Sequence, residues 1–432
     1  MDKPFIVKEF DNIICNEDYK NDARFKFMDP KHFSLLESFI HDFSDEKSAD
    51  VLEFLKIGYK RNVGNCITIK NYVGLIQMRD GFQIEILPKV FLDEGENIEN
   101  TKNIFLKMLC SMKDFPGKIF NSANLRISKM SLYEIFINMY LQEVEKLVKR
   151  GIKSAYIYNE SNSNYFKGKL LIDKHLKENI SHKERFYVRY DVYSQNRAEN
   201  RIIKSTLLKL QQITSSAENS KVIKQLLLDF ELVDSSFNYQ KDFSKVALDR
   251  TTKEYENLMS WSKIFLQNKS FTTFSGSSNS RALLFPMEAV FESYVSKNIK
   301  KKFSGEGWHV SLQDKKYHLF DEPRKFALRP DIVLKNGNRT IIMDTKWKSL
   351  LDNSSCNYGI SQADMYQMYA YSKKYNTADV WLLYPVNDDM RDHTEISYKS
   401  IIDDNVSVKV YFVDLANIEE SIENLCQLSA KD

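Results

Sequence analysis

The sequence predicts an α+β multidomain protein: a β-rich N-terminal module, a mainly helical middle region and a C-terminal mixed α/β domain. Three observations carry this. Residues 1–125 contain stretches that alternate apolar and polar at period two. Residues 126–272 switch to helical spacing, and residues 281–432 alternate helical and strand-like segments. At 432 residues the chain exceeds one ordinary core and suits roughly two or three domains.

The elements follow in chain order. FIVKEF at 5–10 alternates, and so does ITIKNYVGLIQMRDGFQIEILPKV at 67–90, in which Arg79-Asp80-Gly81 marks a hairpin turn. A helix is expected in ENTKNIFLKMLCSMK. In SLYEIFINMYLQEVEKLVKRG, Ser131 is the expected N-cap, Glu134 the capping-box partner and Gly151 the C-cap. NRIIKSTLLKLQQI is a second amphipathic helix. Between them NYFKGKLLIDKHL and RFYVRYDVY form an extended basic-aromatic stretch. FTTFSGSSNS at 271–280 is the expected linker. PMEAVFESYVSKNIKKKF reads as a helix opened by Pro286. WHVSLQ, DIVLK, RTIIMDTKW, DVWLLYP and VKVYFVDL read as strands, with QADMYQMYAYSKKYN a helix between two of them.

Composition excludes several classes. The five cysteines, Cys15, Cys66, Cys110, Cys356 and Cys426, form no CxxC pair, so zinc-ribbon and thioredoxin readings fail. Their odd number, with no leader peptide at the N-terminus, points to the cytoplasm. No apolar run approaches about 18 residues, so no membrane span is expected. The net charge of +3 is weak, and nucleic acid would have to meet a local basic surface. No G-x-x-x-x-G-K-[ST] phosphate loop occurs, so the chain is not itself a nucleotide-driven motor.

The chemistry concentrates in RPDIVLKNGNRTIIMDTKWK at 329–348. Asn336-Gly337-Asn338 is a turn signal between two strands. Taken as a three-residue loop, it pairs Lys335 with Arg339 and sets Asp331 opposite Met343, one position from Asp344. Neighbouring strands lie about 5 Å apart, which brings both carboxylates within reach of one ion. Asp344 and Lys346, two apart, share a strand face. Hard divalent ions such as Mg²⁺ take carboxylate oxygens. Such an ion can activate water and stabilise charge on a phosphodiester. The lysine can position or deprotonate the attacking water, or stabilise developing negative charge. Glu292 is the candidate third acid; it shares a helix face with Glu288.

An acid-x-Lys triplet is common by chance, but Pro330 alone among eight prolines precedes an aspartate. The bland alternative is a surface hairpin with a cross-strand ion pair. Against it, Asp344 follows Ile341-Ile342-Met343 on a strand entering a core, where an unpaired acid is costly. Other residues have bland readings of their own. Tyr366, Tyr369 and Tyr371 read as packing. Lys297, Lys300, Lys301 and Lys302 read as a solvated helix end. Lys167 and Lys169 could touch DNA or a partner. IEILPKV reads as a buried strand, with no chemistry assigned to Lys89.

Pro330-Asp331…Asp344-Thr345-Lys346 resembles the PD-(D/E)xK nuclease superfamily. FPMEAVFESYV, RPDIVL, DTKWK, DMYQMYAY and WLLYP, with NYVGLI, IEILPKV and NRIIK further upstream, resemble the McrC family, the nuclease subunits of McrBC-type restriction systems. The resemblance spans roughly 5–415. It implies metal ligands at Asp331 and Asp344, a catalytic lysine at Lys346, a helix acid at Glu292 and a helix glutamine at Gln367. It also implies a Mg²⁺-dependent endonuclease acting on double-stranded DNA, with an McrB-type AAA+ GTPase partner docked on the N-terminal module. Modification of the 5-methylcytosine type would be read by the partner. Cutting both strands needs two sites, which a homodimer would supply. The competing readings are a free-standing repair or mobile-element nuclease and a non-catalytic adaptor of an AAA+ motor.

Overall fold

The computed structural model describes residues 4–44, 54–78, 80–90, 97–113, 115–117, 130–247, 249–250, 252–267, 281–393, 395–400 and 406–430. Arg79 of the expected hairpin turn and the expected linker 271–280 lie outside them. The chain divides into two compact units: Met130–Ser270, and a second that joins Asp2–Lys129 to Phe271–Asp432. The first and third zones of the sequence therefore share one unit. Among the described residues no helix is long and apolar enough to cross a membrane.

The larger unit begins with β1 (Phe5–Lys8), β2 (Asn12–Ile14), β3 (Lys26–Phe27), α1 (Pro30–Ser44), β4 (Leu55–Lys60), β5 (Gly64–Ile69), β6 (Tyr72–Gln77), β7 (Gln83–Leu87) and α2 (Ile98–Leu109). One sheet runs β3-β2-β5-β4. In the other, β1 pairs parallel with β7 and β7 antiparallel with β6. The period-two pattern of ITIKNYVGLIQ is thus split between two sheets.

The middle unit contains α3 (Leu132–Arg150), β8 (Ala155–Ser163), β9 (Lys169–Leu170), α4 (Ile172–Glu178), β10 (Phe186–Ser194), α5 (Ala198–Ile213), α6 (Ala217–Asp229), α7 (Tyr239–Lys245) and α8 (Tyr255–Gln267). Ser131 Oγ accepts from the Glu134 N–H at 3.3 Å, the N-cap expected of it. The Glu134 carboxylate has a different use from the expected capping box. It accepts from Thr214 Oγ1 at 2.7 Å, Ser215 N at 2.7 Å and Asn219 Nδ2 at 2.8 Å. These donors stand at the entry to α6, and the buried Asn219 amide among them needs an acceptor. The basic-aromatic stretch folds as a long antiparallel pair, β8 with β10, with β9 added on the far side of β10. Lys167 lies 3.6 Å from the Tyr190 ring centroid, a contact inside this sheet.

The second part of the larger unit opens with a strand that sequence reading missed, β11 (Arg281–Pro286), running directly into α9 (Met287–Gly305). RALLFP pairs antiparallel with β6, Leu283 opposite Leu75 and Leu284 opposite Gly74. Gly74 sits at φ 137°, and a Cβ there would lie 2.0 Å from the Leu283 carbonyl oxygen. Only a bare α-carbon admits the strand so closely.

Next come β12 (His309–Leu312), β13 (His318–Asp321), β14 (Arg324–Ala327), β15 (Ile332–Asn336), β16 (Arg339–Thr345), α10 (Gln362–Tyr375), β17 (Asp379–Pro385), β18 (Glu395–Lys399), β19 (Ser407–Val413) and α11 (Ile418–Ala430). Six strands form a mixed sheet in the order β12-β15-β16-β17-β19-β18. β16, β17 and β19 run parallel, and α10 provides the crossover from β16 to β17. Val333, Ile342, Val380, Leu382 and Val410 pack with Met368, Tyr371 and Tyr375 of α10. Burying such side chains contributes about 1.5–3 kcal/mol each. The lysines at the end of α9 include two held by acids of α11: Lys301 by Glu419 at 3.2 Å and Lys302 by Glu423 at 2.5 Å.

The hairpin register differs from expectation. Asn336 pairs with Arg339, and Ile332 with Met343. The loop is two residues, Gly337-Asn338, with Gly337 at φ 56°, the sign a type II′ turn needs at its first central position. A two-residue loop follows the twist of the strands, and this shifts the pairing by one residue from the three-residue count. The shift decides the site, because one residue reverses the face of every side chain.

Candidate active site

Continuing the observed register by one residue sets Asp331 opposite Asp344 rather than Met343. Both aspartates then share the face of Val333 and Ile342, the face covered by α10. The expected pairing would have placed them on opposite faces. The apolar run of β16 carries Asp344 into the interior, where it is 2% exposed.

Each acid is held by neighbours. Asp331 Oδ2 accepts from the Thr345 backbone N–H at 2.8 Å and from Thr345 Oγ1 at 2.7 Å. Asp331 Oδ1 accepts from the Gln313 amide at 3.0 Å. That amide nitrogen also donates to Glu292 Oε1, so one side chain joins the helix acid to the strand acid. Gln313 follows β12 at φ 50°, and its N–H donates to the Asp331 carbonyl at 2.8 Å. Lys346 Nζ lies 2.7 Å from Asp344 Oδ2 and 3.9 Å from Asp364 Oδ1. It donates to Gln367 Oε1 at 3.1 Å, and Gln367 Nε2 donates to the Tyr371 hydroxyl at 2.7 Å. The four-residue spacing on α10 sets Gln367 and Tyr371 one turn apart.

The electrostatics follow from burial and like charge. Burial, then the charge of Asp331, push Asp344 up to about 7, against the pull of Lys346. Burial raises Asp331 too, although Thr345 and Lys346 oppose it. Glu292 is raised by burial and then by Asp331. For Lys346, burial favours the neutral amine, but Asp344, Asp364 and Asp331 outweigh it and the net shift is upward. The site therefore carries more carboxylate than its one lysine satisfies.

All five residues singled out by sequence, Asp331, Asp344, Lys346, Glu292 and Gln367, line or border one cleft of about 860 Å³. Glu288 lines it as well. Tyr371 is buried, as a packing residue should be, but Tyr366 and Tyr369 are 66% and 45% exposed, contrary to expectation. Sequence reading missed Gln313, Thr345 and Asp364. Thr345 was the unassigned middle residue of Asp-Thr-Lys, and only the register reveals its role. Gln313 and Asp364 are brought in by the fold.

The cleft has a second wall. Trp347 Nε1 donates to Glu9 at 3.0 and 3.2 Å, and the Lys89 N–H donates to Glu9 Oε2 at 3.2 Å. Burial pushes Glu9 up to about 7 despite these bonds. The N-terminal sheet is thus fastened to the segment that carries Lys346.

Could these residues hold a metal? Among the described residues, no three His, Cys, Asp or Glu side chains stand together as a ready-made metal cluster. The oxygens of Glu292 and Asp331 instead accept from Gln313 and Thr345, while buried Asp344 Oδ2 faces the Lys346 ammonium without a hydrogen bond. The donor set is nonetheless of one kind, carboxylate oxygen, raised by burial and then, at Asp344 and Glu292, by the charge of Asp331. That chemistry fits a hard divalent cation, which would relieve the repulsion.

Comparison with known proteins adds three findings. The family described as McrBC 5-methylcytosine restriction system component matches residues 67–385. No curated protein matches. Among solved structures, the chain is similar to one in the refined half-complex from the tetradecameric assembly of Thermococcus gammatolerans McrB AAA+ hexamers with bound McrC. The two share 18% identity and a TM-score of 0.71, over 99% of this chain and 100% of that one. A second similarity is to a chain of the Thermococcus gammatolerans McrBC complex, with 20% identity and a TM-score of 0.48, over 68% of this chain and 86% of that one.

Proposed function

Since the chain belongs to the family of McrBC 5-methylcytosine restriction system components, we propose that it is the endonuclease subunit of such a system, built on a PD-(D/E)xK-type core. The observation that carries the reading is the meeting of Asp331, Asp344 and Lys346 on one face of one hairpin, at the floor of a cleft. An acid pair and a lysine so placed suit phosphodiester hydrolysis with Mg²⁺. Asp331, Asp344 and Glu292 would hold the ion, which supplies activation of water and charge neutralisation at the phosphate.

The chain's own residues do the rest. Thr345 fixes the Asp331 carboxylate through two hydrogen bonds, so that oxygen cannot rotate away. Lys346, aligned by Asp344 and Gln367, presents a positive charge where negative charge develops on the phosphate. Gln367 is itself oriented by Tyr371. Gln313 keeps Glu292 beside Asp331.

The proposal includes an McrB-type AAA+ GTPase partner that recognises modified DNA and drives translocation. Its support is the family, the likeness to a complex of McrB hexamers with bound McrC, and the absence of a phosphate loop in this sequence. A homodimer would provide the second cut. The middle unit offers a protein-facing surface: Tyr156, Tyr158 and Tyr193 share one face of the β8–β10 pair and are 73%, 78% and 66% exposed.

The test separates the site from the fold. Asp344→Ala in the full chain, assembled with the GTPase, should reduce DNA cleavage by about 10³-fold or more. GTP hydrolysis by the partner should be stimulated as before. Persistent cleavage would reject the site.

A further inference from the structure

The cleft contains two N-terminal residues that the site chemistry leaves unexplained. Phe10 and Lys89 both line it, together with the acids and with Asp364 and Gln367 of α10. Phe10 is 51% exposed, an unusual state for a large ring at the mouth of a cleft. Its backbone is also unusual. The turn Lys8–Asp11 is closed by the Asp11 N–H on the Lys8 carbonyl at 3.1 Å, and Phe10 occupies its third position at φ 65°. Glycine is the unstrained residue there, and a bulky side chain is a true outlier. The Phe10 N–H, donating to the Ile69 carbonyl at 3.2 Å, holds the strained conformation. Strain of this kind is informative when the residue that bears it faces a site.

Lys89 is exposed just beyond β7, and its backbone is held by Glu9. Its ammonium has no ion-pair partner among the described residues, although the cleft it borders is acidic. Arg329, two residues before Asp331, is a second exposed cation on the rim. Glu9, buried between Phe10's turn and Trp347, ties this wall to the segment just after β16 that carries Lys346.

We infer that the N-terminal module supplies the substrate-strand wall of the cleft: Phe10 packs against a nucleotide and Lys89 pairs with a backbone phosphate beside the scissile bond. The inference rests on the nuclease reading for its ligand class, a DNA strand. It deepens that reading by assigning part of the DNA grip to a sheet outside the nuclease core. A base or sugar offers the ring an apolar face whatever the sequence, and a phosphate answers the free ammonium without reading it. Glu9 acts as a positioning residue for both.

The experiment measures binding of a fluorescein-labelled DNA duplex with a single-stranded end by the full chain, in EDTA so that no cutting intervenes. Phe10→Gly relieves the turn while removing the ring. It should hold or raise the thermal midpoint and weaken DNA binding about tenfold. Lys89→Ala should weaken binding and lower the salt-dependence slope by about one unit, with Lys89→Arg restoring both. Lys56→Ala, an exposed change on β4, should leave binding unchanged. Wild-type affinity and salt slope in both Phe10→Gly and Lys89→Ala would overturn the inference, as would a wild-type chain that binds no DNA. Loss of partner GTPase stimulation with DNA binding intact would overturn it too, by making the wall a docking face. Cleavage is scored separately: a chain that binds through this wall but never cuts would reject the nuclease reading and leave the wall standing.

Discussion

Asp344 shows how one residue links site and stability. Its carboxyl, ordinarily near 3.8, is pushed up to about 7 by burial and by Asp331. The unfolded chain therefore releases this proton near pH 4, while the folded chain keeps it until about 7. Through that window the folded state holds more protons, so its stability falls as pH rises and levels off above about 7. The effect is on the order of a few kcal/mol. Asparagine cannot ionise, so without Mg²⁺ the thermal midpoint of Asp344→Asn should gain on that of wild type between pH 5 and pH 8. If Asp344 holds Mg²⁺ as proposed, adding the ion should close the gap at pH 8, because a carboxylate would bind it and an amide would not. A gap independent of pH would show that Asp344 ionises normally, and one untouched by Mg²⁺ would remove it from the ligand set. At this scale the sequence was most legible where rarity helped. Pro330-Asp331 is the chain's one Pro-Asp pair, and it singles out Asp344-Thr345-Lys346 from the acid-x-Lys triplets that chance supplies. Gln313 and Thr345 do not, since a glutamine or threonine acquires meaning only from the carboxylate it meets in space.

Elements were legible in kind more than in register. The hairpin of β15 and β16 was evident from its turn signal, yet the loop was two residues instead of three. Period two leaves no tolerance for such an error, and the observed pairing is the one that brings both aspartates to one face. β11 was missed for a different reason. Its six residues follow a Ser-rich run and end at Pro286, and a short apolar run so placed reads as the approach to a helix. Its partner signal was Gly74 in NYVGLI, a glycine inside a strand, which marks close backbone approach. Gly74→Ala should test that contact. The added Cβ would meet the Leu283 oxygen at 2.0 Å and would also adopt φ 137° at a cost. Overpacking and backbone strain together amount to about 2–4 kcal/mol. The denaturation midpoint of the full chain should fall accordingly, whereas Gly58→Ala, with nothing near its Cβ position, should change it little. Equal effects of the two would mean that β11 does not crowd β6.

At the scale of the whole molecule, chain order and compactness disagree. Three zones in sequence become two units because β11, at Arg281–Pro286, completes a sheet begun by β1 at Phe5–Lys8. The middle unit has its own core, with Phe136, Tyr140, Ile202, Trp261 and Phe265 all buried. The C-terminal segment is different. Cut away from residues 4–117, it would expose Leu284, Phe285 and Trp347, each buried in the intact chain. It would also strand β11 without its partner β6, and leave the Trp347 N–H without Glu9. An unpaired apolar strand invites aggregation. A fragment of residues 130–267 should therefore unfold cooperatively by itself. A fragment of residues 281–430 should aggregate or bind hydrophobic dye when expressed alone, and should become a monodisperse complex when residues 2–129 are co-expressed. Should the 281–430 fragment prove soluble, cooperative and unaffected by the N-terminal partner, the segment that carries the candidate site would be self-sufficient. The sheet wall beside its cleft would then be an attachment, and Glu9, Gly74 and β11 would have no part in keeping Asp331, Asp344 and Lys346 in place.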